Sequence, residues 1–216
     1  MTLTPDLVIF DCDGVLVDSE PISNKALVKT LNKIGLKITY KESLDIFLGR
    51  SWEDSLNTIT KMLGHNPPSN LYDLYRTHMY EWFKKELKPV SGITDAVRDL
   101  QFPYCVASSG SHEKIQTTLG LTNLIHLFKG KIFSASDVPK GKPEPDLFLF
   151  AAKMMGANPL NTVVVEDSEP GVRAAISANM RALGYTERTD PLILSSAGAE
   201  TFENMAHLST HIINLS

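Results

Sequence analysis

The chain has 216 residues, 43% of them hydrophobic and 21% charged, and its formal net charge at pH 7 is −4. This length fits one large domain or a core with a small insertion, and the composition is ordinary for a globular protein. A weakly acidic chain gains little from long-range attraction to nucleic acid or to an anionic membrane, so we expect neither as a partner. Any anionic ligand must then be held by local groups.

Two features of the sequence predict a cytoplasmic protein. The two cysteines, Cys12 and Cys105, lie in or beside apolar runs, which favours reduced thiols over a disulfide framework. We find neither a basic segment followed by a long apolar run nor a stretch of about 18 apolar residues. We expect a monomer or a weak dimer.

The chain begins with a four-residue apolar run at 7–10, which predicts a buried strand. Only helical patterning follows, and it predicts helices at 21–34, 41–47, 52–63 and 71–83. From residue 89 onward, strands alternate with helices. The predicted strands are 104–107, 131–134, 162–165 and 181–184, and the predicted helices are 113–119, 145–155 and 171–178.

This alternation predicts an α/β fold with a parallel sheet. The helical block lies between the first strand and the rest of the sheet, so we interpret it as an insertion. The expected division is a core domain formed by 1–17 and 88–216, with residues 18–87 forming a helical cap domain.

Polar residues follow the predicted strands, and ligands bind beyond the carboxyl ends of strands in such sheets. These residues are Asp11 and Asp13, Ser108 and Ser109, and Glu166 and Asp167. So many carboxylates repel one another unless a cation lies among them, and oxygen ligands of this kind suit Mg²⁺. Lys142, in a loop, supplies a second positive charge, and Ser108 can donate to phosphate oxygens. This set of groups is typical of phosphoryl transfer through an aspartyl-phosphate.

Four segments carry a family resemblance. The run DCDGVLVDS at 11–19 resembles the first motif, DxDGxxxDS, of haloacid-dehalogenase-superfamily phosphatases. Their second motif, an apolar strand ending in Ser or Thr, is similar to 106–108. Their third resembles GKPEPD at 141–146, and their fourth resembles VEDS at 165–168, followed by Gly171. The motifs occur in the family's order along nearly the whole chain, and the resemblance implies a Rossmann-like core sheet.

The resemblance implies a role for each motif residue. Asp11 attacks phosphorus, and Asp13 protonates the leaving alcohol and later activates water. Ser108 and Lys142 hold the transferring phosphoryl group. Mg²⁺ is bound by the Asp11 carboxylate, the Asp13 main-chain carbonyl and Asp167, with Glu166 acting directly or through water.

Asp13 also distinguishes branches of the superfamily, because the dehalogenase and phosphonatase branches generally lack an acid at this position. The β-phosphoglucomutase branch usually has a cap histidine soon after the first motif, and here residues 21–23 are Pro, Ile and Ser. We therefore expect a phosphatase. The alternatives are a phosphomutase and a regulatory protein that has lost catalysis.

The segment FLGRSWED at 47–54 resembles the loop that contacts substrate in relatives with this cap. Gly49 would give backbone freedom, Arg50 would pair with a second anionic group, and Trp52 would stack on a sugar face. Arg50 as an ordinary exposed arginine and Trp52 as core packing are the alternatives. The expected substrate is a small phosphorylated metabolite, such as a sugar phosphate or a sugar-acid phosphate.

Three further residues have competing interpretations. Asp18 could contact ligand or cap the first cap helix. Ser108 could cap the helix that follows it, sharing that role with Ser109 or Ser111. Cys12 lies between the two aspartates, so strand alternation points its side chain away from theirs and predicts a packing role.

Overall fold

The computed structural model describes residues 4–47 and 52–214, and the chain divides into two compact units. The core unit comprises Met1–Asp18 and Lys88–Ser216, and the helical unit comprises Ser19–Leu87. No helix among the described residues is long and apolar enough to cross a membrane.

The core unit contains a parallel sheet whose six described strands lie in the order β3-β2-β1-β4-β5-β6. The strands are β1 (Leu7–Phe10), β2 (Tyr104–Ser108), β3 (Ile132–Ser134), β4 (Thr162–Glu166), β5 (Arg181–Tyr185) and β6 (Glu200–Phe202). The α/β architecture with a parallel sheet predicted from the alternation of strands and helices is therefore confirmed.

Helices connect these strands. In the core unit they are α5 (Ile93–Arg98), α6 (His112–Leu121), α7 (Asp146–Met155), α8 (Glu169–Ser177), α9 (Pro191–Ala197) and α10 (Leu208–Asn214). Short 3₁₀ turns occupy Ile125–Phe128, Ala135–Asp137, Pro159–Asn161 and Met205–His207. The sequence did not predict α5, α9, β6 or α10.

The central strands are buried on both faces, which explains why they read as continuous apolar runs. β1 pairs with β2 on one side and with β4 on the other, in register from Leu7 opposite Thr162 to Phe10 opposite Val165. Helices α7 and α8 contribute Phe148, Ala151 and Val172 to the cluster that packs against this sheet. The first strand of the chain thus lies at the centre of the fold.

The helical unit is built from α1 (Glu20–Lys33), α2 (Tyr40–Phe47), α3 (Trp52–Leu63) and α4 (Leu71–Glu86). Its apolar cluster includes Leu31, Ile59 and Leu71, all nearly inaccessible to solvent. Polar side chains join its helices as well: Thr30 of α1 lies 2.9 Å from the His78 ring nitrogen Nδ1 of α4. The unit therefore has an apolar core of its own.

The two segments at the boundary between the units run side by side within the core unit. Val17 forms an antiparallel bridge with Pro89, and the Asp18 amide donates to the Lys88 carbonyl at 3.0 Å. The chain thus leaves the core unit and returns to it at adjacent points.

Candidate active site

Three neighbouring strands bring polar side chains to one edge of the sheet. β1 is followed by Asp11, β2 ends at Ser108 and β4 ends at Glu166. All three residues are buried, with exposed fractions of 6%, 1% and 1%. Because β2, β1 and β4 are adjacent and parallel, these residues converge although they are separated by up to 155 positions along the chain.

Lys142 lies in a loop and connects the carboxylates of two of these strand ends. Its ammonium donates to Asp11 Oδ1 at 2.5 Å and to Glu166 Oε1 at 2.6 Å. It also donates to the Ala107 carbonyl on β2 at 3.3 Å. The Lys142 side chain is only 4% exposed, so this is an ion-paired lysine inside the protein. Lys142 is thus not a solvated surface lysine.

Burial and the neighbouring charges together set the pKa of Asp11. Burial raises the pKa of Asp11 to about 7, and the carboxylates of Glu166 and Asp13 act in the same direction, against the lowering effect of Lys142. Burial lowers the pKa of Lys142, but the charges of Asp11 and Glu166 outweigh burial and leave it above its ordinary range. A cation bound beside Asp11 would favour its ionised, nucleophilic form.

The Glu166 carboxylate is directed at Lys142 and at its own turn. Its Oε2 accepts from the amides of Asp167 and Ser168 at 2.9 and 2.8 Å and from the Ser168 hydroxyl at 2.8 Å. The Ser168 hydroxyl in turn accepts from the amide of Gly171 at 3.2 Å and caps α8. Glu166 is thereby fixed as the support of Lys142 and of the β4–α8 turn.

Asp167 lies against the loop that follows β1. A side chain on Gly14 would overlap the Asp167 carboxylate, and Gly14 has a φ of +80°, which favours glycine. The glycine of the DxDG run therefore makes room for the carboxylate of the fourth motif. Gly14 and Asp167 are 153 positions apart in sequence, and the two motifs meet at this contact.

The residues at this edge offer oxygen donors suited to Mg²⁺. No group of three or more His, Cys, Asp or Glu side chains that could hold a metal ion occurs in 4–47 and 52–214. The predicted ligand set does not need three such side chains. It consists of the Asp11 and Asp167 carboxylates and the main-chain carbonyl of Asp13. Since Mg²⁺ keeps several waters and is commonly bound by one or two carboxylates, this donor set fits it. The hydrogen bonds of Glu166 argue against its being a direct ligand.

Asp13 is paired with a lysine that no sequence motif indicates. The Lys114 ammonium of α6 donates to Asp13 Oδ2 at 2.8 Å, and both side chains are partly exposed. A lysine in the first turn of an amphipathic helix reads as a solvated residue. Its position in the helix that directly follows the Ser108 loop is the one sequence feature that could have indicated a place near the site.

The serines after β2 divide the roles that were left open. The Ser108 hydroxyl accepts from the amide of Gly110 at 3.1 Å, so it belongs to the loop. Ser111 caps α6, because its hydroxyl accepts from the amide of Lys114. Ser109 is exposed. Of the three serines, Ser108 alone combines burial with a position at the carboxyl end of a central strand.

The remaining predicted residues make other contacts or fall outside the described residues. Asp18 does not cap α1; its Oδ1 accepts from Arg188 Nε and Nη2 at 3.1 and 2.7 Å. Trp52 stacks on Tyr75 with ring centroids 5.3 Å apart and packs against the cluster of the helical unit. Gly49 and Arg50 fall outside the described residues.

Cys12 is buried, and its Sγ lies 3.7 Å from the Thr118 hydroxyl of α6. Burial raises the pKa of this thiol well above its ordinary value, and the neighbouring carboxylates of Asp13 and Asp11 add to the effect. The side chain thus packs the β1 loop onto α6 and is a poor nucleophile.

Comparison with known proteins places this geometry in a family. A 6-phosphogluconate phosphatase of Escherichia coli is 32% identical over 181 residues, which cover 83% of this chain and 82% of the relative. A fructose-1-phosphate phosphatase of the same species is 27% identical, over 82% of this chain and 94% of the relative. The crystal structure of a haloacid dehalogenase-like protein of unknown function from Agrobacterium tumefaciens superposes with a TM-score of 0.87 at 33% identity, covering 97% of this chain and 98% of that one. Residues 8–185 match the haloacid dehalogenase-like hydrolase family, and the chain therefore belongs to that family.

Proposed function

We propose that this protein is a Mg²⁺-dependent phosphatase of small phosphorylated metabolites, with Asp11 as nucleophile and Asp13 as general acid and base. One observation carries the proposal: Lys142 holds the buried Asp11 and Glu166 carboxylates together at the sheet edge where β2 ends in the buried Ser108. A buried carboxylate beside a fixed ammonium and hydroxyl is suited to accept a phosphoryl group.

In the first half-reaction, an Asp11 carboxylate oxygen attacks phosphorus and forms the P–O bond of an aspartyl-phosphate. The bond between phosphorus and the ester oxygen breaks, and this oxygen takes the proton of the Asp13 carboxylic acid. The products are the free alcohol and an ionised Asp13. Lys142 and Ser108 stabilise the charge on the transferring oxygens.

In the second half-reaction, a water oxygen attacks the same phosphorus. The Asp13 carboxylate takes one proton from this water, and the bond to Asp11 breaks. Inorganic phosphate leaves, the Asp11 carboxylate is regenerated, and Asp13 is again an acid. Over both steps one ester and one water give one alcohol and one phosphate.

The Asp11 and Asp167 carboxylates and the Asp13 carbonyl would hold Mg²⁺, whose chemistry is to neutralise charge on the phosphoryl oxygens and on Asp11. Glu166 acts behind them by fixing Lys142 and the β4–α8 turn. This division of roles follows from the hydrogen bonds that already occupy the Glu166 carboxylate.

The names of two relatives support a sugar phosphate or a sugar-acid phosphate as substrate. They are phosphatases of 6-phosphogluconate and of fructose 1-phosphate, with 32% and 27% identity. We propose that the helical unit caps the site and selects the substrate, with Gly49, Arg50 and Trp52 in its contact loop. Because the Trp52 ring stacks on Tyr75, we propose that it shapes the loop and does not itself stack on a sugar face.

The test is phosphate release from 6-phosphogluconate, fructose 1-phosphate, glucose 6-phosphate, β-glucose 1-phosphate and p-nitrophenyl phosphate, with and without Mg²⁺. Asp11→Asn is the test variant, and Asp99→Asn, at an exposed position of the core unit, is the matched control. We expect turnover by the wild type and the control, and a loss of at least about 10³-fold in Asp11→Asn or after chelation of the metal.

Turnover that survives Asp11→Asn would overturn the proposed nucleophile. Isomerisation of β-glucose 1-phosphate to glucose 6-phosphate in the presence of a bisphosphate, without net hydrolysis, would identify a phosphomutase instead. Absence of both reactions for all five esters would favour the non-catalytic alternative.

A further inference from the structure

The first turn of α6 places one lysine beside the acid/base residue. Lys114 Nζ lies 2.8 Å from Asp13 Oδ2, and the two side chains are 25% and 20% exposed. Asp13 is thus held by an ion pair separate from the one between Lys142 and Asp11. The site contains two lysine–aspartate pairs, one for each aspartate of the DxD run.

The backbone of Lys114 is fixed relative to that run. Its amide donates to the Ser111 hydroxyl at 3.3 Å, and its carbonyl accepts from the Thr118 hydroxyl at 3.0 Å. Thr118 in turn contacts the Cys12 thiol, one residue before Asp13, at 3.7 Å. The helix turn that carries Lys114 is therefore anchored to the loop that carries Asp13.

The Lys114 side chain passes close to Gly110 in the loop after β2. A Cβ on Gly110 would lie 3.3 Å from Lys114 Cδ and 3.5 Å from Ser108 Oγ, and the first of these contacts is closer than most side chains make. The loop after β2 has no side chain at the point where the lysine passes it. The same loop thus positions Ser108 and leaves room for Lys114.

We propose that Lys114 is a positioning residue for Asp13 and that it acts chiefly in hydrolysis of the phosphorylated enzyme. This inference rests on the proposed function. In the first half-reaction Asp13 is a neutral acid, which an ammonium attracts weakly. In the second half-reaction Asp13 is an anion facing a phosphoryl group on Asp11, and the two negative charges repel each other. Lys114 offsets this repulsion and keeps the carboxylate where water must deliver its proton.

The experiment separates the two half-reactions by rapid quenching with p-nitrophenyl phosphate and Mg²⁺. p-Nitrophenolate is a good leaving group that needs little protonation, so its initial burst reports formation of the aspartyl-phosphate. The steady-state rate of phosphate release then reports its hydrolysis. The variants are Lys114→Met and Lys114→Arg, with Lys153→Met, at an exposed position of α7, as matched control.

We expect Lys114→Met to lower the steady-state rate at least about tenfold, while the burst rises toward one equivalent per active site. Lys114→Arg restores the cation and should recover most of the rate, and Lys153→Met should match the wild type. Thermal unfolding of each variant separates these effects from loss of the fold.

Three results would overturn the inference while leaving the proposed function intact: a steady-state rate within about twofold of the wild type, equal slowing of burst and steady state, or a change confined to KM. The last would make Lys114 a substrate contact. A wild type without Asp11-dependent turnover of this ester would remove the proposed function, and this inference with it.

Discussion

At the scale of single residues, the site depends on glycines as much as on charged groups. A Cβ on Gly171, in the first turn of α8, would overlap the Glu166 carboxylate. That carboxylate holds Lys142, and Lys142 holds the nucleophile Asp11. A methyl group at Gly171 would therefore act on the nucleophile through two intervening side chains.

We predict that Gly171→Ala lowers activity by about 10²-fold, because small displacements of positioning groups cost rates of this size. It should also destabilise the fold by about 1–3 kcal/mol through overpacking. The measurements are kcat with the best ester of the panel and the free energy of unfolding in urea.

Gly120→Ala is the matched control for this substitution. Gly120 lies in α6, and beyond its chain neighbours and its own helix backbone no described atom lies within 4 Å of the position that an added Cβ would take. Alanine should therefore stabilise the helix by about 0.5–1 kcal/mol. If Gly171→Ala behaves like Gly120→Ala in both assays, close packing against Glu166 is not what requires glycine at 171.

The sequence carried enough information to predict Asp11, Asp13, Ser108 and Lys142 as neighbours, because strand ends and motif order constrain them. It did not reveal how the Glu166 carboxylate is used. Its orientation is set by hydrogen bonds to Lys142 and to its own turn, which have no signature in residue spacing. Lys114 escaped attention because a solvated helix lysine and an ion-paired one look alike in sequence.

At the scale of elements, a buried polar contact joins α1 and α4. Thr30 lies 2.9 Å from the His78 ring and also donates to the Ala26 carbonyl at 2.7 Å. Burial lowers the pKa of His78, and the positive charges of Lys29 and Lys33 add to this effect. The contact between α1 and α4 therefore favours the neutral form of this histidine.

We predict that this histidine makes stability depend on pH. Because the pKa of His78 is lower in the folded state than in the unfolded chain, the unfolded state binds the proton first. The contribution is fully present above the unfolded pKa of about 6.5 and is lost as pH falls from there through the folded pKa. Thermal unfolding between about pH 8 and pH 5 measures it.

His78→Gln should reduce the loss of stability on acidification, because it removes the titrating ring. His65→Gln, at an exposed position of the same unit, should leave the pH profile of the wild type unchanged. Identical profiles for all three proteins would mean that His78 does not contribute to the pH dependence.

The reach of sequence patterns differs between elements. The amphipathic helix α3 ends where its periodicity predicts, at Leu63. The segment after residue 185 contains α9, β6 and α10, and none was predicted. β6 has only three residues, too few to show an alternation of apolar and polar side chains. Helix α9 does have the usual sequence signals: Asp190 and Pro191 at its start and Gly198 after its end.

At the scale of the whole molecule, two segments of chain connect the units, and their ends in the core unit lie side by side. The Asp18 amide is bonded to the Lys88 carbonyl at 3.0 Å, so a short linker can close the core unit without the helical one. Insertions at such adjacent points leave the host fold continuous.

We predict that residues 4–18 joined to 88–214 by a Gly-Ser linker fold cooperatively and still hydrolyse p-nitrophenyl phosphate. Preference among sugar phosphates should be lost, because the groups proposed to select substrate lie in the removed unit. Circular dichroism with temperature and the ester panel are the measurements, and the same chain with Asp11→Asn is the control. Failure to fold, or retained selectivity, would contradict this prediction.

The outer strands of the sheet have a consequence for behaviour at high concentration. β3 and β6 are three residues long, and the Ser134 amide at the end of β3 already donates to Asp137 at 2.9 Å. Exposed strand edges are templates for pairing with another chain, and short edges are a common defence against it. Two molecules that meet edge to edge would thus gain few main-chain hydrogen bonds, so edge-to-edge aggregation of the sheets should be weak.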